Sequence, residues 1–461
     1  MAGLLSGFAQ KMADDPKFPL KLFMIALTVR ILFTLIHPQI YLISDMLGYN
    51  EAAMSLLEDG EFRVKGVISA SRPPIYPFFL TVVYFIFGQS LLAVRLMQAV
   101  VGAITAVMVF QTGKLMFDRK TAALAGIFYA FYTASWALGD ILLTESLFTL
   151  MMIVSVYFMI RIGELGSPWV IFWAGLFAGA ATLTRTAYMP YLPFILTGVV
   201  VLRIGSPRVV SRYILMTLVF AMTIFPWMLR NYYTHDSFTL NPKSGADFYM
   251  YNHSGIMYII NNYEDTTMLE ETKAWTWSEV EKGRVGAELG MKWIKENPGL
   301  FLFKGFRMMM NIWGFDRDYL WWYLAGAFGS DPVWMFALMA VLTNFPFLII
   351  APLAMAGFII SRPLRNRLTV PTLIIVCLHI LSFIVYGFAR HRFPFATLLI
   401  IWAAYAVINW SEIEAVLAKG KKSWRKRAII FAWAFLLFSW GFEFLLDAGS
   451  LFGMRFQYPG F

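Results

Sequence analysis

Hydrophobic residues fall along this chain in long runs, separated by short polar clusters, from Pro19 almost to the C-terminal end. Runs approaching the ~20 residues of a bilayer-crossing helix predict membrane spans rather than strands or half-buried core helices. Eleven qualify, at roughly 19–37, 90–117, 120–138, 143–162, 168–185, 187–204, 212–230, 333–360, 368–389, 393–410 and 428–446. Two regions break the pattern. From 38 to 89 the chain is mixed, and from Asn231 to Pro332 it is too polar to insert. In the first region, Ser44 or Asp45 is placed to cap a helix with Met46, Leu47, Ala53, Met54 and Leu57 on its apolar side, ending at Gly60. Such a helix lies on a membrane surface. In the second, Glu279 to Asn297 reads as an amphipathic helix stopped by Pro298, and Phe301 to Phe315 as another interfacial segment.

One short run decides the topology. Ile75 to Gly88 is apolar but only about 14 residues long, short of a span. If it does not cross, the basic clusters Lys114/Arg119/Lys120, Arg203/Arg208/Arg212, Arg362/Arg365/Arg367 and Lys419 to Arg427 all fall on one side. That side is then the cytoplasm, together with an N-terminus carrying Lys11, Lys17 and Lys21. Asp45 and the C-terminus lie outside.

Composition agrees: 59% of the 461 residues are hydrophobic and 14% charged, as expected of a polytopic all-α membrane protein. The net charge of +10 resides in the loops between spans and is a topological signal, not a nucleic-acid surface. The basic run Lys421-Lys422-Ser423-Trp424-Arg425-Lys426-Arg427 reads as a cytoplasmic loop facing anionic lipid. A single cysteine, Cys377, excludes an intramolecular disulfide, and five scattered histidines show no ligand spacing. Asp316-Arg317-Asp318 has the form of a metal-binding Asp-x-Asp, but no doubly wound sheet is present to hold it.

Sorting ionisable residues by side collects Asp45, Glu51, Arg72, Asp140, Glu145, Arg185, Arg230, Arg390, His391 and Arg392 at the outer ends of the spans. Such groups are costly near apolar helix ends and tend to line a cavity. Arginine suits phosphate through paired hydrogen bonds, and a carboxylate suits proton abstraction. Individually each has a plainer reading: Arg185 and Arg230 as snorkelling side chains, Glu145 as a span cap, Asp140 as a turn residue.

Several stretches, in order, resemble one family. They are Asp45-x-x-x-Tyr49, Arg72-Pro73-Pro74-Ile75-Tyr76-Pro77-Phe78-Phe79 with Phe87-Gly88, and Leu142-Leu143-Thr144-Glu145-Ser146-Leu147-Phe148. Gly179 to Arg185, Pro226-Trp227-Met228-Leu229-Arg230-Asn231, Glu296-Asn297-Pro298 and Arg390-His391-Arg392-Phe393-Pro394 follow. The set resembles GT-C glycosyltransferases, in the protein-mannosyltransferase branch that includes lipid A aminoarabinose transferase. The resemblance implies a GT-C-like bundle, a sugar donor on a polyprenyl phosphate such as undecaprenyl phosphate, an outward-facing site and inversion at the anomeric carbon. It implies Asp45 as catalytic aspartate, Glu145 as second acidic residue and Arg72 as phosphate contact, with Tyr49, Glu51, Tyr76, Asp140, Arg185, Arg230, Arg390, His391 and Arg392 as substrate-binding candidates. The strictest mannosyltransferases have Asp-Glu in the first outer loop where this chain has Asp45-Met46, and they carry a further lumenal domain. A lipid or glycan acceptor is therefore favoured over protein.

The expected organisation is an N-terminal membrane module (1–230) with the catalytic loop at 38–89, an outer segment (231–332) and a C-terminal membrane module (333–461). The expected setting is a bacterial inner membrane. No cofactor is required; the chemistry leaves room for a divalent cation, but no residue pattern indicates one. A transporter or flippase of a lipid-linked anion is the alternative, and it calls for inverted repeats and charge near the bilayer midplane.

Overall fold

The computed structural model describes residues 2–36, 40–202, 206–253, 277–316, 318–324, 326–328, 333–364, 366–385, 387–420 and 423–453. Arg203, Arg317, Pro332, Arg365, Lys421 and Lys422, named above, lie outside them, as does the end of the first predicted span at position 37. The N-terminal half runs α1 (Ala2–Asp14), α2 (Phe18–Ile36), α3 (Asp45–Glu58), β1 (Arg63–Val64), β2 (Val67–Ile68), α4 (Ile75–Phe87), α5 (Leu91–Met116), α6 (Arg119–Ala130), α7 (Thr133–Ala137), α8 (Glu145–Ile162), α9 (Pro168–Thr184), α10 (Tyr191–Val201) and α11 (Pro207–His235). Then come α12 (Ser244–Met250), α13 (Glu279–Glu296), α14 (Pro298–Trp313), α15 (Asp318–Leu324), α16 (Val333–Ile360), α17 (Thr369–Ile384), α18 (Ala389–Arg392), α19 (Ala396–Ile408), α20 (Trp410–Ala418) and α21 (Trp424–Gly453).

Among the described residues, six helices are long and apolar enough to cross a membrane: Phe18–Ile36, Leu91–Met116, Glu145–Ile162, Pro207–His235, Trp334–Ile360 and Trp424–Leu445. A seventh is formed if the pair Ala396–Ile408 and Trp410–Ala418, bent by 73°, is one span. The count of eleven is thus not confirmed. The remaining predicted spans are helices of shorter length, such as Pro168–Thr184 and Thr369–Ile384, or a helix broken at Phe131 and Tyr132 between α6 and α7.

The core is made by α2, α5, α6, α8, α9 and α19, which pack on one another. In α19 Ala396 to Ala404 are buried without interruption, so this helix has no lipid-facing stripe. By contrast, α21 exposes Phe431, Leu437, Phe438 and Leu445, as a helix at the bundle's rim does.

Ile75–Phe87 forms a 13-residue helix. At 1.5 Å per residue that is roughly 20 Å, too short to span the ~30 Å hydrocarbon core. Pro74 precedes it and Gly88, at φ 69°, ends it. The first loop departs from an all-helical reading in one place. Arg63–Ile68 and Val64–Val67 pair as an antiparallel hairpin, with Lys65 (φ 52°) and Gly66 (φ 76°) at its turn. Two positive φ values at the central positions match the twist of the strands.

Candidate active site

The first carboxylate enters from α3. Ser44 occupies the N-cap position but makes no side-chain capping bond, and Asp45 is the first helical residue. Of the residues predicted for its apolar side, Met46 and Ala53 are buried together with Tyr49 and Ala52, whereas Leu47 and Leu57 are exposed on the protein surface. Spacings of three and four turn Tyr49 and Met46 to the interior and leave Asp45 at the edge. Asp45 Oδ1 lies 2.8 Å from Arg72 Nη2, and Oδ2 lies 3.5 Å from Arg390 Nη2.

The second carboxylate, Glu145, heads α8 and is fully buried. Its Oε1 accepts from Arg185 Nη1 at 2.7 Å and lies 2.7 Å from Arg390 Nε. Arg390 therefore bridges the two carboxylates. Five chain segments far apart in sequence meet here, with three guanidinium groups around two carboxylates. Asp45 is 29% exposed at its side chain and Glu145 0%, so an incoming molecule reaches Asp45 first.

Electrostatics follow from this packing. Burial raises the Asp45 pKa, but Arg72 and Arg390 together outweigh it and hold the carboxyl below its ordinary value. Burial, with Arg185 and Arg390 nearby, pushes His391 well below the usual histidine range. Its Nδ1 accepts from the Phe388 N–H at 3.3 Å, which leaves the ring proton on Nε2.

Arg72 is held from several sides. Its guanidinium stands 5.0 Å over the Tyr49 ring, and Tyr49 meets Tyr76 edge-on at 5.1 Å. Tyr76 donates to Gln98 Oε1 at 2.6 Å, and the Gln98 amide donates to Gly139 O (2.8 Å) and Ile141 O (2.9 Å), on the turn leading to Glu145. The loop before Arg72 is pinned by Glu279, which accepts from Ser69 Oγ (2.6 Å) and Ala70 N (2.9 Å). Arg230 completes the brace by donating to Ser69 O at 2.8 Å, while stacked on Trp227.

The predicted site residues thus divide. Asp45, Tyr49, Arg72, Glu145, Arg185, Arg390 and His391 come together, with Tyr76 behind them. Arg230 braces the Arg72 loop from outside. Glu51 accepts from Lys65 N at 2.9 Å and serves the hairpin. Asp140 is locked in the interior against Arg95 and Thr34. Arg392 points away, donating to Ile312 O at 2.8 Å and lying over Phe347.

Sequence reading missed Glu279, Gln98, Arg95 and Asp247. Asp247, on α12, is within electrostatic reach of Arg72 and Asp45, and burial raises its pKa. Arg95 carried a legible signal, a charge inside an apolar run; Glu279 and Asp247 carried none. Lys304 also becomes buried, donating to Asn252 Oδ1 and Ile384 O at 3.0 Å each, and burial lowers its pKa to about 8. Among the described residues no group of His, Cys, Asp and Glu side chains could hold a metal ion.

A separate apolar cavity of about 730 Å³ lies among α14, α16, α17, α19 and α21. Phe301, Met309, Phe358, Phe383 and Ile384 are among its walls. Its one ionisable lining residue, His379, accepts from Trp313 Nε1 at 2.9 Å. The chain that leaves this cavity at Ile384 reaches Arg390 six residues later.

The family model described as dolichyl-phosphate-mannose-protein mannosyltransferase matches residues 71–229, from the Arg72 loop to α11. No curated protein matches the chain. Among solved structures, the apo oligosaccharyltransferase of Archaeoglobus fulgidus is similar in fold, at a TM-score of 0.50 and 12% identity over 97% of this chain and 59% of that one. Its complex with zinc and sulfate also superposes with a TM-score of 0.50, at 14% identity over 93% and 53%. ArnT from Cupriavidus metallidurans bound to undecaprenyl phosphate gives 0.44, at 14% over 88% and 80%. The present chain therefore spans less than two thirds of the archaeal enzyme.

Proposed function

We propose that this chain is a membrane glycosyltransferase of the GT-C kind, transferring a sugar from a polyprenyl-phosphate donor to an acceptor hydroxyl at the membrane's outer face; the family match over residues 71–229 and the shared fold support this reading. The observation that carries the reading is the bridge of Arg390 between Asp45 and Glu145, with Arg72 and Arg185 on either side. A lipid-linked donor also accords with the dolichyl-phosphate-mannose named in the matching family's description.

In this scheme Asp45 is the general base. It is ionised at neutral pH, and it is the more accessible of the two carboxylates. As the acceptor oxygen attacks the anomeric carbon from the face opposite the phosphate, its proton passes to Asp45. The bond from that carbon to the phosphate oxygen breaks, and the electron pair leaves with the lipid phosphate. Inversion results. Arg72, Arg185 and Arg390 stabilise the charge growing on the leaving phosphate. Glu145, buried and holding Arg185 and Arg390, positions these cations rather than meeting substrate. The apolar cavity provides walls for the polyprenyl chain. A lipid or glycan acceptor is favoured over protein because Asp45-Met46 stands where the strictest mannosyltransferases have Asp-Glu. The proposed setting is a bacterial inner membrane with the N-terminus cytoplasmic.

The test compares cells bearing the native chain with cells bearing Asp45→Asn, which keeps the shape and removes the base. Transfer should fall by about 10²-fold or more. Mass spectrometry should then find polyprenyl-phosphate sugar accumulating and one envelope glycan or glycolipid lost. Identical lipid-linked sugars and glycans in both, at equal protein abundance, would retire the proposal.

A further inference from the structure

Away from the carboxylate–arginine cluster, a small polar chamber of about 10 Å³ lies among α2, α5 and the turn between α7 and α8. Arg30, Thr34, Arg95, Gln98, Ser135 and Asp140 line it, and all six are buried. Two guanidinium groups face one carboxylate, an excess of one positive charge. Asp140 is fully committed to one of them. Its Oδ1 accepts from Arg95 Nε at 3.1 Å and from Thr34 Oγ1 at 2.6 Å, and its Oδ2 pairs with Arg95 Nη2.

The other side-chain acceptors are also engaged. Ser135 Oγ accepts from Arg30 Nη2 at 2.8 Å, and Gln98 Oε1 accepts from Tyr76. The surplus consists of donors: Arg30 Nε and Arg95 Nη1 are buried without a hydrogen-bond partner among the described residues. Tyr129 lies beside Arg30, its ring centroid 5.3 Å from the guanidinium carbon and its hydroxyl within hydrogen-bonding reach of that side chain, yet Nε itself has no acceptor among the described residues. A buried charge left without a counter-charge is strongly destabilising.

We propose that this chamber binds one monatomic anion, a halide such as chloride, between Arg30 and Arg95. The volume admits about one water-sized species, which excludes phosphate and sulfate. Water would accept from both guanidinium groups, yet it would leave the charge uncompensated and add two donors where donors are already in surplus. A halide accepts from both and donates to neither. Arg30 packs directly against Gly102, where an added Cβ would lie 2.5 Å from its Nε, so glycine there lets the guanidinium keep its place beside the chamber. The bound anion would consolidate the Gly139–Ile141 turn that delivers Glu145, independently of what the site beyond it transfers.

Crystals of the full chain soaked in bromide test this directly. An anomalous peak is expected between the two guanidinium groups. In detergent at constant ionic strength, chloride or bromide should raise the thermal unfolding midpoint saturably relative to gluconate. Arg30→Gln cancels the excess charge and leaves the Arg95–Asp140 pair alone, so it should abolish that rise. A chamber showing water and no bromide peak, or equal midpoints in chloride and gluconate for the native chain, overturns the proposal. So does an Arg30→Gln chain with the full halide response.

Discussion

Asp45 and Glu145 bring the same functional group into different surroundings, and at the residue scale the proposed roles rest on that difference. Asp45 owes its charge to Arg72 and Arg390, which outweigh the effect of burial. Removing one cation tips the balance back. Arg390→Gln should therefore move the acid limb of kcat/KM to higher pH, because Asp45 then protonates sooner; an acid limb that stays put would place the base elsewhere. The same depressed pKa gives a stability term. It is present above the ordinary carboxylate value of about 3.9 and lost as pH falls through the lower folded value. Arg72 carries a second prediction. Arg72→Ala should weaken donor binding by roughly 10- to 100-fold, the worth of a charge-assisted hydrogen bond at ~1.5–3 kcal/mol. Arg72→Lys should recover only part, since an ammonium cannot reproduce the planar fork. Unchanged donor affinity in both variants would move the phosphate contact to Arg185 or Arg390.

At the scale of elements, α3 and the loop after it set where Arg72 stands. Gly48 matters here because a Cβ on it would lie 3.3 Å from Arg72 Nε. Glycine in a helix interior costs ~0.5–1 kcal/mol relative to alanine. Gly48→Ala should thus leave the unfolding midpoint unchanged or slightly raised while increasing the KM for donor, as the guanidinium shifts. A fall in stability with donor KM intact would make Gly48 a packing residue only. Glu279 holds the other side of the same loop from α13. That pairing gives the outer segment a share in the site that its own composition does not announce.

For the whole molecule, the proposed orientation rests on α4. If this 13-residue helix does not cross, Arg72 and Gln89 share one side and Lys120, beyond α5, takes the other. Cysteine labelling in a Cys377→Ser background tests this. Ser69 is buried against Glu279 and would report poorly, whereas Val67 and Gln89 are exposed. Cysteines at Val67 and Gln89 should label from outside intact cells and one at Lys120 should not. Outside access to position 120 together with protection of position 67 would reverse the orientation of the site.

Much of this was legible from the chain alone, and the reason is local. Insertion of a helix depends on the summed hydropathy of its own residues, so the principal spans, the shortness of Ile75–Phe87 and the helix at Glu279–Glu296 could be read directly. Asp45, Arg72, Glu145 and Arg390 could be nominated because charge is rare among apolar runs. What required tertiary structure was which charges meet. Asp140 and Glu145 lie five residues apart at the same helix end. One nevertheless faces inward to Arg95, while the other meets Arg185 and Arg390. Arg390 and Arg392 flank one histidine and point to opposite ends of the same turn's surroundings. Side-chain direction changes by about 100° per residue in a helix, and which neighbour it finds depends on packing between segments hundreds of residues apart. Composition, hydropathy and spacing determined that this protein is a helical membrane bundle with charge gathered at helix ends; only the folded arrangement decided that five of those charges meet, that Arg230 braces them, and that Glu51, Asp140 and Arg392 are engaged elsewhere.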